Sequence, residues 1–584
     1  MKYYITSMTS ISKRFPKEKL CDNLKLNLIA VAVGIVGGFG AVLFRWLIYS
    51  INNFSFFHKF SINFIAPVHN SLGLFVLIVP MIGGLIVGVI TYYFAPETKG
   101  HGVPEVMEAM FKKEGIIRPR VVIAKTIASG VCLGTGGSAG REGPIVQIGS
   151  AFGSVVSQLL KLTASNRKVL VGCGATAGIA ATFNAPIAGV IFSIELILLE
   201  FRTESFVPLV LSSVFATIVS RIFLGSNPTF IVPMYHFQSL YELIFYLAMG
   251  IMAGFLGIII IKTLYGIEDI FDKIRSPLVK PAIGGLIVGV IGLKFPQIFG
   301  VGYSTVTSIL NFNYGNPTGF LMLSLLFLLI AKIIALSVTL GSGGSGGIFA
   351  PSLFIGAVFG SLYGAFINIL FPGISAPYPA YGLVGMAAVF SATGRATLTS
   401  IIMLFEMTRN YNIIIPLIFA CVLADIVSHI FYSRTIYTEK LSRRGVVIPH
   451  GLEINILKNE KIEDVMIKDV ITVKVNESIQ DVNNKILKTG HEGFPVVNDN
   501  NELIGMVTGL DILKYRERGG DMSLPVLNIY SKDLILTYPD ETLYQALKKM
   551  RKRKISHLPV VDRDNHKKLM AIITKGDLIM YKDL

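Results

Sequence analysis

The chain has 584 residues, 52% of them hydrophobic and only 15% charged, with a formal net charge of +16 and a mean hydropathy of +0.62. Soluble globular domains carry about a quarter charged residues, so this composition excludes an ordinary soluble protein and indicates a polytopic membrane protein. It also argues against a nucleic-acid partner, because the basic excess of that class lies on a polar surface and not between long apolar runs.

Taken in chain order, residues 1–25 are polar and basic. No small-residue cleavage site follows a short apolar core, so they read as a cytoplasmic tail and not as a signal peptide. Apolar stretches then recur at 26–50, 72–94, 121–137, 168–199, 206–224, 241–264, 281–294, 319–340, 350–371, 381–405 and 413–432. Several are too short, or too interrupted by Gly and Pro, to be simple spans. Broken segments at membrane depth are tolerated where they are buried in protein or line a polar cavity, which points to a transport pathway. Cys21, Cys132, Cys173 and Cys421 lie far apart without metal-ligand spacing and read as small packing residues. Residues 441–584 differ in character, holding 23 of the 53 Lys and Arg and 20 of the 37 Asp and Glu. A soluble module therefore follows the membrane region.

The membrane region is duplicated. Pro80-Met-Ile-Gly-Gly-Leu-Ile-Val-Gly-Val-Ile90 returns as Pro281-Ala-Ile-Gly-Gly-Leu-Ile-Val-Gly-Val-Ile291 at an offset of 201, and Ala124-Lys125 through Gly153-Ser154 matches Ala331-Lys332 through Gly360-Ser361 at 207. In that register Gly140-Arg141-Glu142-Gly143-Pro144 falls on Gly347-Ile348-Phe349-Ala350-Pro351. Each is a Gly-rich break before an apolar run, as expected of a helix N-terminus set inside the bilayer, where unpaired N–H groups and partial positive charge favour an anion. The alternative is that these glycines only allow close helix packing. The shared Gly-x-x-x-Pro frame and the Arg141-Glu142 pair at membrane depth favour a functional site.

With Gly100-His101-Gly102-Val103-Pro104 upstream and Tyr437 after the last apolar run, these motifs make residues 25–445 resemble the CLC family of chloride channels and proton/chloride exchangers. The resemblance implies an all-α polytopic membrane domain of two inverted repeats, a homodimer with one pore per subunit, and chloride or another small anion as cargo. It implies that Glu142 is the gating glutamate, whose carboxylate competes with the anion and leaves when protonated. It further implies that the backbone amides of Ile348 and Phe349 face a central anion whose inner side the Tyr437 hydroxyl closes. Gly102 belongs to the same site, and Gly100, Pro104, Gly140, Arg141, Gly143, Pro144, Gly347 and Pro351 form the helix-end frame. Glu406 fits a family pattern and is taken as structural.

Two departures stand out. Where many members have an anion-coordinating serine, this chain has His101; it could donate to the anion and titrate near neutral pH, or turn away and leave the ion to backbone amides. Where exchangers carry an internal proton-transfer glutamate, this chain has Leu196, which favours a channel-like conduit with proton/chloride exchange as the alternative. Glu195 is adjacent, but a neighbour on a helix points about 100° away.

The tail holds a second duplication. Gly493-Phe-Pro-Val-Val497 recurs as His557-Leu-Pro-Val-Val561, and Gly505 through Asp511 as Ala571 through Asp577, each within a helix–strand–turn–strand–helix pattern. This is similar to a tandem CBS pair, an α+β module. The resemblance implies a possible adenine nucleotide held by Thr508 and Asp511 with Thr574 and Asp577; ordinary helix caps are the alternative. Arg551-Lys-Arg-Lys554 reads as a solvated face or a phosphate contact.

The expected organisation is a tail at 1–25, a transport domain at 26–445, and CBS copies at 455–515 and 526–584. The expected protein conducts chloride across a prokaryotic cell membrane under cytoplasmic CBS control. It requires no cofactor, has no metal site and is not an enzyme, since no metal-ligand cluster, nucleophile–base pair or phosphate loop is present. A membrane-anchored nucleotide-sensing CBS protein is the alternative from another class. Few acidic residues fall inside the apolar runs, which disfavours cation transport. Basic clusters at Lys13–Lys19 and Arg434–Arg444 place both termini in the cytoplasm by the positive-inside rule.

Overall fold

The computed structural model describes residues 17–580, except 71, 200, 202, 234, 236–240, 313–317, 447–459 and 554. Residues 1–16, with Lys13 and Arg14 of the first basic cluster, lie outside the described residues, as do 581–584. The chain forms two compact units, Met1–Ile448 and Pro449–Leu584.

In the first unit, the helices are α1 (Lys17–Phe57), α2 (Ile78–Val89), α3 (Val103–Lys112), α4 (Arg120–Gly134), α5 (Glu142–Leu159), α6 (Ala164–Phe183), α7 (Pro186–Phe192) and α8 (Thr203–Leu224). The same order then repeats as α9 (Glu242–Asp272), α10 (Val279–Lys294), α11 (Tyr303–Leu310), α12 (Gly319–Gly341), α13 (Phe349–Leu370), α14 (Tyr378–Gly394), α15 (Thr397–Thr408) and α16 (Ile414–Phe431). A last short helix, α17 (Ile436–Arg443), has no counterpart in this scheme. Seven helical segments among the described residues are long and apolar enough to cross a membrane, while Pro186–Leu198 and Thr397–Thr408 are apolar but shorter. Helix α1 begins at Lys17, so residues 17–25, expected as tail, form its first turns. Lys, Glu and Leu there are good helix formers, and hydropathy marks only the apolar part of a helix.

The repeats run in opposite directions. A Cβ on Gly84 of α2 would come within 2.1 Å of the Pro281 carbonyl oxygen of α10, and one on Gly285 within 2.0 Å of the Pro80 carbonyl oxygen. Gly88 meets Leu278 and Gly289 meets Leu77 in the same reciprocal way. Advancing along one helix means retreating along its copy, so equivalent helices are antiparallel and the repeats are inverted. Within each repeat, glycines let α5 lie on α6 and α13 on α14 at backbone contact: Gly149 and Gly174 abut, as do Gly356 and Gly385. Small residues at such crossings are how membrane helices gain close packing without a hydrophobic drive. Cys132, Cys173 and Cys421 are buried and unpaired.

The second unit holds β1 (Val473–Lys474), α18 (Ile479–Thr489), β2 (Gly493–Val497), β3 (Leu503–Thr508) and α19 (Gly509–Glu517), then α20 (Leu543–Arg553), β4 (His557–Val561), β5 (Leu569–Thr574) and α21 (Lys575–Met580). Strands β2 and β3 pair antiparallel with a shift after Val496, and β4 and β5 do the same with a shift after Val560. The segment leading into each copy packs on the other copy. Ile462 donates its N–H to the Glu541 carbonyl, and Ile467 exchanges backbone bonds with Ile572; Ser531 exchanges them with Met506. Ile462 is accordingly buried in the core with Leu543, Met550 and Ile573.

Candidate functional site

The motif loops of both repeats meet at the centre of the membrane unit. Gly140 and Gly347, equivalent in the repeat register, form a two-way backbone bridge, with Gly140 N–H donating to Gly347 O at 2.7 Å and Gly347 N–H to Gly140 O at 2.5 Å. Gly100 N–H donates to Gly344 O at 2.9 Å, and Gly346 N–H to Gly100 O at 3.3 Å. Gly100 and Gly102 have φ of +79° and +82°, a region glycine adopts freely. Gly102 thereby turns the chain into α3, with Pro104 in its first turn. A Cβ on Gly143 would lie 2.1 Å from the His101 carbonyl oxygen and 3.0 Å from Gly347 Cα, so three motif backbones converge without room for a methyl group.

Two fully buried lysines hold the bends, one per repeat. Lys125 Nζ donates to the carbonyls of Thr98 and Gly100 at 2.9 and 2.8 Å, and Lys332 Nζ to those of Ile298 and Gly300 at 2.9 and 3.1 Å. Burying a charge is costly unless it is hydrogen-bonded. Each ammonium satisfies carbonyls that the turn would otherwise leave unpaired.

Glu142 is 1% exposed and opens α5. Its Oε1 accepts the Tyr303 hydroxyl at 3.0 Å and its Oε2 the Ala350 N–H at 3.4 Å. The carboxylate therefore lies at the N-terminus of α13, where first-turn N–H groups have no intrahelical partner. Arg141 Nε is 4.0 Å from Glu142 Oε1, and the Arg141 guanidinium stacks over the Tyr303 ring and reaches the Tyr49 hydroxyl. Ile348 and Phe349 are each 2% exposed, and the Phe349 ring packs edge-on to Phe390 and beside Phe183, which fixes the start of α13. A carboxylate at a helix N-terminus occupies the place an anion would take, and a proton removes the charge that holds it there.

The other end of the site is built by α3 and α17. Thr435 caps α17 with a reciprocal box to Thr438, which sets Tyr437, buried, with its ring centroid 6.1 Å from that of His101. Glu105 of α3 accepts from Lys440 at 3.0 Å and from Arg444 at 3.1 Å, clamping the two helices together.

Leu196 is buried. Glu195 accepts from the N–H groups of Leu398 and Thr399 and from the Thr399 hydroxyl, at 3.3, 2.9 and 2.6 Å, so it caps α15. Glu406 of α15 in turn accepts from Ile187 and Ala188 N–H at 3.1 and 2.8 Å and caps α7. The two glutamates are equivalent across the inverted repeats, at an offset of 211. Glu195 is thus committed to holding helices together and does not turn toward the position of Leu196.

In the tail, Thr508 and Asp511 form a capping box at α19, with Asp511 Oδ2 accepting the Thr508 N–H and hydroxyl at 3.0 and 2.7 Å. Thr574 and Asp577 repeat it at 2.7 and 2.8 Å. Both carboxylates serve as helix caps through one oxygen, and a ribose would have to share them through Oδ1. Arg551, Lys552 and Arg553 are exposed at the end of α20.

Tyr303, Lys125, Lys332 and Tyr265 escape a motif reading. A signal existed for the first: Gly300-Val-Gly-Tyr303 is the second repeat's copy of Gly100-His-Gly-Val103 at an offset of 200, although only the fold brings Tyr303 to Glu142.

Comparison with known proteins gives the following likenesses. The family model for voltage gated chloride channels matches residues 83–429, and that for CBS domains matches 462–518 and 526–583. A putative chloride channel protein ClcB-like from Ralstonia nicotianae is 35% identical, covering 63% of this chain and 85% of that protein. The chloride channel protein CLC-f of Arabidopsis thaliana is 31% identical over 84% of this chain and 70% of its own. An H(+)/Cl(-) exchange transporter ClcA from Vibrio parahaemolyticus is 32% identical, over 71% and 89% respectively. Among solved structures, a slow cyanobacterial Cl-/H+ antiporter superposes with a TM-score of 0.64 at 26% identity, covering 72% of this chain and 97% of its own. A eukaryotic CLC transporter superposes with a TM-score of 0.65 at 19% identity over 95% and 98%, a likeness of fold.

Proposed function

The chain belongs to the voltage gated chloride channel family and carries two CBS domains behind its membrane unit, and from that premise we propose that it exchanges protons for chloride or a similar small anion across a membrane. The observation that carries the proposal is the Glu142 carboxylate at the N-terminus of α13, held by Ala350 N–H and Tyr303. There it stands in for an anion and can be displaced by one, or released by a proton. In this reading the amides of Ile348 and Phe349 and the Gly100–Gly102 turn with His101 hold the anion further in, and Tyr437 closes its inner side. Gly100, Pro104, Gly140, Arg141, Gly143, Pro144, Gly347 and Pro351 shape the helix ends that make this possible.

The channel-like reading drawn from Leu196 gives way here. Vibrio relatives bear the name H(+)/Cl(-) exchange transporter, and the cyanobacterial structure is titled an antiporter. Leucine removes one carboxylate from one possible proton route; it does not close the protein to protons carried by water or by other groups. A passive conduit is kept as the second reading because Leu196 is buried and Glu195 is spent on a helix cap.

The proposal includes a homodimer with a pathway in each protomer, a prokaryotic cell membrane with both termini cytoplasmic, and regulation by the CBS pair through an adenine nucleotide. Purified protein in liposomes under a chloride gradient, with external pH recorded, tests the transport reading. Chloride efflux is expected to draw protons inward, and Glu142→Gln is expected to move chloride without protons. A reversal potential indifferent to a proton gradient would favour the passive conduit, and no anion flux at all would favour the membrane-anchored sensor. Titration of the same preparation with ATP checks the CBS part.

A further inference from the structure

His101 is 3% exposed, and its Nδ1 is buried without a hydrogen-bond partner among the described residues. Buried polar atoms are nearly always paired, so an orphan calls for a partner that the protein does not itself supply. The other ring nitrogen decides what that partner can be. Nε2 lies 3.4 Å from the Tyr265 hydroxyl, and that hydroxyl donates its one hydrogen to the Ile436 carbonyl at 2.5 Å. Toward His101 the Tyr265 oxygen can therefore only accept, which places a hydrogen on Nε2. A neutral imidazole has a single N–H, so its Nδ1 then presents a lone pair, which repels an anion. Only the imidazolium presents N–H at both nitrogens.

The surroundings link the proton to the anion. Around His101 stand Glu105 from α3, the helix that its turn leads into, Lys125 from α4, Tyr265 from α9, and Tyr437 and Lys440 from α17, with Arg444 just beyond. Three cations stand against one carboxylate. Lys125 is committed to backbone carbonyls, and Lys440 and Arg444 to Glu105. A proton on His101 alone adds like charge to this pocket, whereas a proton arriving with an anion leaves the charge unchanged.

We infer that His101 holds the inner anion as an imidazolium, through Nδ1–H, so that each anion bound there brings one proton with it independently of Glu142. The inference rests on the anion-site reading above and applies equally to an exchanger and to a passive conduit.

Calorimetric titration of the full-length chain with chloride, in buffers of differing ionisation enthalpy, tests it. A Glu142→Gln background is used so that the gate cannot contribute a proton. Uptake of close to one proton per chloride is expected, with chloride affinity falling about tenfold for each pH unit above neutrality. Adding His101→Gln, which cannot take up a proton, is expected to remove both the uptake and the pH dependence and to leave only weaker, pH-independent chloride binding; His101→Ser serves the same purpose if the amide disturbs folding. Chloride binding without proton uptake in the Glu142→Gln protein, or uptake that survives substitution of His101, would overturn the inference alone. No chloride binding by the wild-type chain or by any variant would overturn it together with the anion-site reading.

Discussion

Glu142 sits where two helix ends from opposite repeats converge, and three neighbours decide how tightly it stays. Its motif is legible in the sequence, because an acid among glycines at membrane depth is costly unless it has a task. The partners that restrain it are not legible in that way. Tyr303 belongs to the degenerate second copy of the Gly-x-Gly turn, where tyrosine stands in place of Val103. A hydrogen bond to a charged group contributes about 1.5–3 kcal/mol. Tyr303→Phe is therefore expected to loosen the carboxylate and raise apparent chloride affinity about tenfold or more, measured by titration at a pH where Glu142 is ionised; an unchanged affinity would mean that Tyr303 does not restrain it. Lys125 and Lys332 show the same limit. Their alignment is visible in the repeat, yet only the fold reveals that both ammonium groups hold the carbonyls of equivalent bends.

Helices are where sequence and structure agree best. Apolar runs mark the helices, and Pro in the first turn of α3, α7 and α14 or a Thr cap at α6, α12 and α17 sets several of their starts locally. What local chemistry does not show is how one helix completes another. Glu195 caps α15, which carries Glu406, and Glu406 caps α7, which leads to Glu195, so two acids that read as candidates for proton transfer or structure prove to be a reciprocal pair. The Gly-Gly-Leu-Ile-Val-Gly stretches work in the same reciprocal fashion across α2 and α10. Overpacking costs typically about 1–3 kcal/mol. Gly84→Leu is expected to lower the thermal unfolding temperature of the detergent-solubilised protein clearly, because its side chain meets backbone at Pro281. Gly40→Leu, with nothing within 4 Å of its Cβ, is expected to change it little.

At the scale of the whole molecule, duplication is plain in the sequence, while direction and exchange are not. Offsets of 201 and 207 report two copies; the reciprocal contacts of α2 and α10 report that they run oppositely. In the tail, the two CBS copies read as consecutive blocks, yet the segment before each packs on the other, which ties the pair together through exchanged backbone bonds. Truncating a buried isoleucine costs about 2–5 kcal/mol. Ile462→Ala, ahead of the first copy, is therefore expected to weaken hydrogen-exchange protection in β4 and β5 of the second copy; loss confined to β2 and β3 would contradict the exchanged arrangement.

The sequence by itself determined that this is a duplicated membrane protein with a paired soluble tail, which motifs begin its central helices, and which family it joins. Those properties follow from composition, periodicity and short motifs, all of which act between near neighbours in the chain. Tertiary structure alone decided that the repeats are inverted, that Glu142 rests on a helix of the other repeat, that Glu195 is occupied, and that one nitrogen of His101 is left without a partner among the described residues. Each of these depends on groups some 160 residues or more apart in sequence, as with Glu142 and Tyr303 (|i−j| of 161) and His101 and Tyr265 (|i−j| of 164), brought within hydrogen-bond reach only once the helices have packed.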